Sequence, residues 1–405
     1  MIAILTRIFG PEHLTLAEDV VQETLARALQ TWPFYGIPKN PSAWILRAAR
    51  NLALDTVRRQ KVFREKEEQI VAQLDQPEPS PDETAFSETE IADDRLRMMF
   101  VCFHPQVPAD AQVALALTTL CGFGANEVAR AFLSTEAAVA KRLVRAKQKI
   151  REAQIPFAIP EGPELAGRLD GVLQTLYLLF NEGYKASSGD ELVRADICRE
   201  AIRLTELLAT HPAGDIPKTH ALLALMLFNT ARLNTRVDEE GNLLRLQDQD
   251  RSRWDQSMIA RGMFHFAQSA AGDELSEYHL QSGIAACHCA ARDYASTDWK
   301  QILMLYDQLV QLDGSPVIAL NRAVVVANVD GPDAGLEAVA AIENQKKLES
   351  YHLFHAVKGE LEFRANRYSD AIKHFTRALE LSSVRSEQTF MSGRIHECEA
   401  LLGTK

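Results

Sequence analysis

Apolar residues recur along almost the whole chain at three- and four-residue intervals, the spacing that lays one side of an α-helix against a core. Over 16–29 the apolar positions Leu16, Val20, Val21, Leu25, Ala28 and Leu29 follow a 3.6-residue period, while Glu18, Asp19, Gln22 and Glu23 fall largely on the other side. Over 41–59 a proline opens a helix behind Asn40. An apolar stripe then runs through Ile45, Ala48, Leu52 and Val57, rimmed by Arg47, Arg50, Asn51, Arg58 and Arg59. Over 126–150 a short helix with Val128, Ala129 and Phe132 inward precedes a turn at Leu133 and Ser134, and Ser134 is placed to cap a longer helix. In that helix Val139, Leu143, Ala146 and Ile150 share one side, and Ala137, Lys141, Arg145 and Gln148 share the opposite one. No run of alternating β-branched residues interrupts the pattern, so the expected fold class is all-α.

The helical pattern breaks twice. Residues 67–94 include the string PEPSPDE at 77–83, whose prolines and like charges disfavour a packed core. Residues 155–163, IPFAIPEGP, separate the last basic helix from a second long helical region. Four parts follow: a helical domain over 1–66, an acidic linker over 67–94, a second helical domain over 95–155 and a helical extension over 163–405. Within the extension three sets repeat at offsets of 33 and 36 residues: Ala290, Ile302, Tyr306, Leu309; Ala323, Gly335, Val339, Ile342; and Gly359, Ala371, Phe375, Ala378. These offsets bracket the roughly 34-residue tetratricopeptide period, in which small residues at a helix crossing and an aromatic in the next gap let helix pairs stack. A tetratricopeptide-like array is expected over about 285–385.

Composition narrows the class. The 405 residues are 46% hydrophobic and 24% charged, an ordinary globular balance, and no apolar run approaches the roughly 18 residues of a membrane span. Residues 1–10 place Arg7 inside a short apolar stretch without a small-residue cleavage site, which reads as a core helix and predicts a cytoplasmic protein. The six cysteines, Cys102, Cys121, Cys198, Cys287, Cys289 and Cys398, are too scattered for a disulfide framework and are expected to be reduced. A net charge of -11 argues against a general nucleic-acid coat, yet its distribution is uneven. Lys plus Arg against Asp plus Glu is 10 to 6 over 1–66, none to 10 over 67–94, 9 to 4 over 95–155 and 25 to 35 over 156–405. Two basic modules flank an acidic spacer.

Phe34, Tyr35, Gly36 and Lys39, in a predicted loop over 33–40, stand beside the basic helix of 41–59. Rings next to guanidinium groups suit unpaired bases, which stack on the rings while the cations hold phosphates. The blander alternative is a solvated basic face with the aromatics tucked into the core, and Trp44 reads as a core anchor. The helix after residue 134 carries six basic residues and one acid between Thr135 and Arg151, the make-up of a helix entering a major groove, though basic helical hairpins of other kinds share it. In the extension, FNEGY (180–184), RAD (194–196) and DQDRSRWD (248–255) gather carboxylates and arginines without a nucleophile–base pair, and a polar network between helices is expected there rather than a catalytic site. Cys287, His288 and Cys289, like Cys102 and His104, lack a helical metal-ligand spacing. No enzyme activity, cofactor or metal is expected.

In this order, LAEDVVQETLARAL (16–29), PSAWILRAARNLALDTVRR (41–59) and EVARAFLSTEAAVAKRLVRAKQKIR (127–151) resemble the three landmark segments of the extracytoplasmic-function sigma factors of bacterial RNA polymerase. The resemblance covers about residues 1–155. The basic front end with its repeat-bearing extension is similar to the subgroup with a tetratricopeptide-containing C-terminus. The resemblance implies that 1–66 is sigma domain two, with Asp19, Gln22 and Glu23 facing the clamp helices of the polymerase β′ subunit. It implies capture and melting of the minus-10 element by Phe34, Tyr35, Asn40, Arg47, Asn51, Arg58 and Arg59. It implies that 95–155 is sigma domain four, a helix-turn-helix that contacts the minus-35 element through Thr135, Glu136, Lys141, Arg142 and Arg145. The acidic linker would run through the polymerase, which contributes its β and β′ subunits as partners along with promoter DNA. The extension would act in regulation, taking a protein or peptide ligand on its repeats. A tetratricopeptide adaptor that binds no promoter is the alternative from another functional class. One departure is the first helix, usually longer in the family: Met1 enters it late, at IAILTRIF, so either the start codon is misplaced or the helix is short.

Overall fold

The computed structural model describes residues 1–59, 88–131, 135–184, 195–236, 238, 244–343 and 345–403. Most of the 67–94 linker, Phe132, the expected turn at Leu133 and Ser134, and Arg194 lie outside the described residues, as do the side chains of Val57, Arg58 and Arg59. Among the described residues the protein is all-α: eighteen helices joined by loops and short 3-10 turns, with no strand. Contacts divide the chain into two compact units, Met1–Thr175 and Leu176–Lys405.

The first unit opens with α1 (Ile2–Phe9), α2 (Leu14–Tyr35) and α3 (Pro41–Arg59). The apolar start of the chain is a core helix, with Ala3, Ile4, Leu5 and Phe9 buried. Leu5 and Phe9 join Ala17, Val20 and Val21 of α2 and Ala49 and Ala53 of α3 in one cluster. Two expected core positions move. The deepest α3 residues are Ala49 and Ala53, fully enclosed, whereas Ala48 and Leu52 are half-buried, because the face that meets α2 follows the four-residue spacing Ile45, Ala49, Ala53. Leu29 is exposed, since one 100° step past Ala28 carries it outside the arc that the core covers.

The unit continues with α4 (Glu88–Cys102), α5 (Ala109–Cys121), α6 (Ala125–Ala131), α7 (Glu136–Glu152) and the start of α8 (Pro163–Tyr184). Leu96 and the run from Met98 to Cys102 are buried, and α4 packs on both α1 and α5. Its Asp94 carboxylate, itself buried, receives Arg97 at 2.9 Å and Arg7 at 3.3 Å, so the buried charge is paired. Arg168 of α8 is also buried and donates from Nη1 to the Phe100 carbonyl at 3.2 Å while pairing with Glu164.

The second unit contains α9 (Ala195–Thr210), α10 (Pro217–Ala231), α11 (Gln256–Ser269), α12 (Glu277–Ala290), α13 (Trp299–Leu312), α14 (Pro316–Val329), α15 (Pro332–Ala340), α16 (His352–Arg364), α17 (Tyr368–Leu381) and α18 (Arg385–Gly403). Neighbouring helices pack on one another from α9 to α18. Two crossings depend on glycine: a Cβ on Gly335 would lie 2.5 Å from the Ala327 Cβ, and one on Gly359 would lie 2.8 Å from the Phe375 ring. Ile302, Ala323, Val339, Ala371, Phe375 and Ala378 are buried as their spacing requires. Ala290 departs from the pattern, being exposed at the end of α12; the close approach there falls a turn or two earlier, where a Cβ on Gly283 would meet Leu305 at 3.3 Å.

The polar clusters of this unit cap helices and tie loops. Asp255 accepts from the Met258 amide at 3.0 Å to start α11, and Asp250 accepts from the Ser252 amide at 2.9 Å. Arg251 is buried and donates to the carbonyls of His288 and Ala291 at 2.8 and 3.2 Å and to Thr297 at 2.9 Å. Arg236 donates to the Tyr184 carbonyl, and its guanidinium lies 4.1 Å from the centre of the Tyr184 ring. All six cysteines are free thiols. Burial pushes Cys198 and Cys289 each up to about 12, so neither is a thiolate at neutral pH.

Candidate polymerase and nucleic-acid interface

On α2, Asp19, Gln22 and Glu23 sit at positions i, i+3 and i+4 and are all exposed, so they share one outward face. Glu23 pairs with Arg27 one turn later. Glu18, adjacent to Asp19, points the other way. Its carboxylate accepts from the Thr119 hydroxyl at 3.3 Å and forms an ion pair with Lys147 of α7, each side chain retaining about a fifth of its exposure, 19% and 20%. Arg151 adds a bond from Nε to the Glu12 carbonyl at 3.3 Å. The N-terminal end of α2 and the C-terminal half of α7 are thus linked by long side chains from segments more than a hundred residues apart in sequence.

The aromatic segment differs from the expected loop. Pro33, Phe34 and Tyr35 form the last turn of α2, and the chain leaves the helix at Gly36, whose φ is 84° and whose amide donates to the Trp32 carbonyl at 2.9 Å. Proline removes one helical donor, but this near the C-terminus the freed carbonyl faces solvent, so the helix continues for three residues before the positive φ ends it. The rings are not tucked into the core: Phe34 is 84% exposed, Tyr35 88% and Ile37 72%. Ile37 went unremarked in the sequence, where only its adjacency to the aromatic pair signals it. Trp44, expected as a core anchor, is half-buried and meets Trp32 edge-on with ring centres 5.6 Å apart, holding the end of α2 to the start of α3. Asn40 caps α3 by accepting from the Ala43 amide at 3.0 Å, which occupies its side-chain oxygen. Arg47 and Asn51 are exposed on α3 and have no side-chain partner among the described residues.

On α7 the inward stripe is the one the period requires, with Val139, Leu143, Ala146 and Ile150 buried. The cap is Thr135, whose hydroxyl accepts from the Ala138 amide at 3.2 Å, one residue later than the expected Ser134. Glu136, Lys141 and Arg145 are exposed. The cationic face is narrower than its residue count implies. Arg142 is half-buried and has a partner, Lys147 is paired with Glu18, and Lys149 with Glu152 at 3.0 Å. The bonds from Lys149 and Gln148 hold the Glu152 carboxyl below its ordinary range. Among the described residues Lys141 and Arg145 are the exposed cations of α7 without any hydrogen bond or ion pair of the side chain. Val144 stands between them at 66% exposure. It lies three residues after Lys141 on the same face, a position legible from helical spacing, though its apolar type carries no charge signal in the sequence.

No helix of the described residues is long and apolar enough to cross a membrane. Residues 1–62 match the family model described as Sigma-70 region 2, and residues 168–270 match a family of unknown function, DUF6596. The chain is 39% identical over 383 residues to the uncharacterized protein R00370 of Rhizobium meliloti (strain 1021), covering 94% of this chain and 89% of that one. No solved structure matches the chain. Sigma-70 region 2 domains in general bind RNA polymerase core and promoter DNA, and proteins of that family are transcription initiation factors.

Proposed function

Because the chain belongs to one family with the Rhizobium meliloti protein and carries a sigma-70 region 2 at its N-terminus, we propose that it is a bacterial sigma factor of the extracytoplasmic-function type. The observation that carries this reading is the exposed group of Phe34, Tyr35 and Ile37 beside the exposed Arg47 and Asn51, inside the matched region. Large apolar side chains held in water at the end of a rigid helix are costly unless they meet a partner, and rings beside a guanidinium suit bases drawn out of a duplex.

In this reading Asp19, Gln22 and Glu23 dock on the polymerase core. Phe34, Tyr35, Arg47 and Asn51 take the minus-10 element, with Asn40 shaping the start of α3 and Arg58 and Arg59 contributing to the same contact. Helices α6 and α7 act as a helix-turn-helix on the minus-35 element. Lys141 and Arg145 reach DNA there, Glu136 and Arg142 flank them, Thr135 fixes the N-terminus of α7, and Val144 offers an apolar contact of the kind a thymine methyl accepts. The chain functions in the cytoplasm, without a cofactor. The region after residue 163 is a regulatory extension of tetratricopeptide type that takes a protein or peptide ligand.

Titration of the purified full chain into core polymerase with its native upstream promoter tests the assignment. Transcription should rise above that of core alone and fall by at least tenfold in a Phe34→Ala/Tyr35→Ala double variant. No rise with the full chain would leave the adaptor reading in its place.

A further inference from the structure

The second unit holds a half-open pocket of about 230 Å³ between α10, the chain that follows it, and α12. Phe228, Trp254 and Ile284 give it an apolar wall, and Arg232 and His288 give it a polar one. Arg232 is half-buried and unlike the buried arginines of this unit. Both terminal nitrogens of Arg251 donate, to two carbonyls and a hydroxyl, and both of Arg394 pair, with Glu360 at 2.8 Å and with Glu397, although the Nε of each is unpartnered like that of Arg232. Arg232 has no ion pair or side-chain hydrogen bond among the described residues; its Nε is buried without a partner, and its guanidinium only approaches the Trp254 ring, at 5.8 Å. Two further nitrogens of the lining, His288 Nδ1 and Trp254 Nε1, are also buried and unpartnered.

The three unmet nitrogens share a character. The guanidinium and the indole can only donate, and a neutral imidazole can present N–H at Nδ1. Leaving such groups unpaired is costly, and no carboxylate is among the lining residues to answer them. The missing component is an acceptor with negative charge. A planar guanidinium fork matches a carboxylate in two parallel bonds, while the ring of Phe228 and the side chain of Ile284 need an apolar body against them. A bare inorganic anion would leave that wall uncovered. At about 30 Å³ per water, the space holds roughly eight waters, so it suits a ligand of about ten non-hydrogen atoms and is too small for a nucleotide.

We propose that this pocket is a binding site for a small organic monocarboxylate with a flat apolar body, its carboxylate on Arg232 and its body against Phe228 and Ile284. The site lies wholly within the second unit and does not depend on the promoter-binding assignment of the first.

Calorimetric titration of the full chain with phenylacetate as the probe tests it, with 2-phenylacetamide and inorganic phosphate as comparisons. Phenylacetate should bind saturably, one per chain, with Kd below about 1 mM, and the neutral amide and phosphate at least tenfold more weakly. Arg232→Met should lose at least tenfold in affinity without lowering Tm, because the side chain it replaces has no ion pair to lose. Arg232→Lys, which keeps the charge but not the fork, should also bind more weakly, and it stands in if the methionine variant fails to fold. Absence of saturable phenylacetate binding, equal binding of the amide, tighter binding of phosphate, or unchanged affinity in the folded Arg232 variants would each overturn the proposal.

Discussion

The ion pair between Glu18 and Lys147 makes a quantitative test of how the first unit is held together. A double-mutant cycle of Glu18→Gln, Lys147→Met and the pair isolates it. Unit charges about 4 Å apart attract by about 4 kcal/mol at an effective dielectric constant of 20. Both side chains keep about a fifth of their exposure, so solvent and salt reduce that figure; exposed pairs measure ~0.2–1 kcal/mol, and the expected coupling is about 1 to 2 kcal/mol. Glutamine preserves an acceptor for the Thr119 hydroxyl, so Glu18→Gln removes charge without stripping that bond. Of the four tryptophans, Trp32 and Trp44 belong to the first unit and Trp254 and Trp299 to the second. Urea unfolding of the full chain in a Trp254→Phe/Trp299→Phe background therefore reads the first unit by fluorescence. The coupling should shrink between 50 mM and 500 mM salt. Effects that add to within about 0.3 kcal/mol at low salt would show that the pair does not tie α2 to α7.

Replacing Arg145 with Ala should cost about 1 to 3 kcal/mol in promoter binding and relax base preference in the minus-35 element, measured by competition between promoter variants; unchanged binding by a folded protein would remove α7 as the reading helix. Ending the chain near residue 160 should destabilise α4, because it removes the buried Arg168 and its bond to the Phe100 carbonyl. An end at residue 175 should keep the first unit folded, and by the proposed regulatory role should abolish promoter-dependent transcription; a shortened chain as active as the whole would refute that role. Burial first, then His220 and Arg261, holds His265 down to about 4, and burial, then Arg232 and Arg251, holds His288 down to about 3. Both are neutral when folded, and the unfolded chain takes up their protons first, near pH 6.5; they leave stability untouched above about pH 7 and erode it as pH falls from about 6.5 towards 4 and 3. A Tm profile from pH 7.5 to 4.5 should show this loss, and a profile no flatter in His265→Asn and His288→Asn would contradict it. Phe375→Ala should cost about 3–5 kcal/mol of second-unit stability in urea, since the ring is fully buried against Gly359; a loss below about 1 kcal/mol would mean that this crossing is not tightly packed.

The helices and most of their buried faces were legible because helical periodicity is local: a residue's side of a helix follows from its number at 100° a step, as Val139, Leu143, Ala146 and Ile150 illustrate. The outward trio Asp19, Gln22 and Glu23 came from the same arithmetic. Ends of elements were less legible. Pro33 reads as a loop opener, but a proline in the final turn forfeits only a bond that solvent replaces, so α2 runs on to Tyr35. A threonine and a serine in succession could each cap α7, and the side chain that caps it belongs to Thr135.

What the sequence by itself determined was the all-α class, the recurring small residues where helices cross, and the inventory of cations on α7. Which of those cations remain exposed and unpaired was decided only by tertiary structure. Lys147 meets a carboxylate 129 positions earlier, whereas Arg145, two residues before it, stays in water. The same holds for Arg232: its type and place after α10 are local facts, but its half-buried guanidinium lines a pocket because Trp254 and His288 arrive from distant segments beside it. A hydrophobic period is set by covalent geometry within one helix, while the partner of a long charged side chain depends on which remote segment packs beside it, a distance that no local pattern encodes.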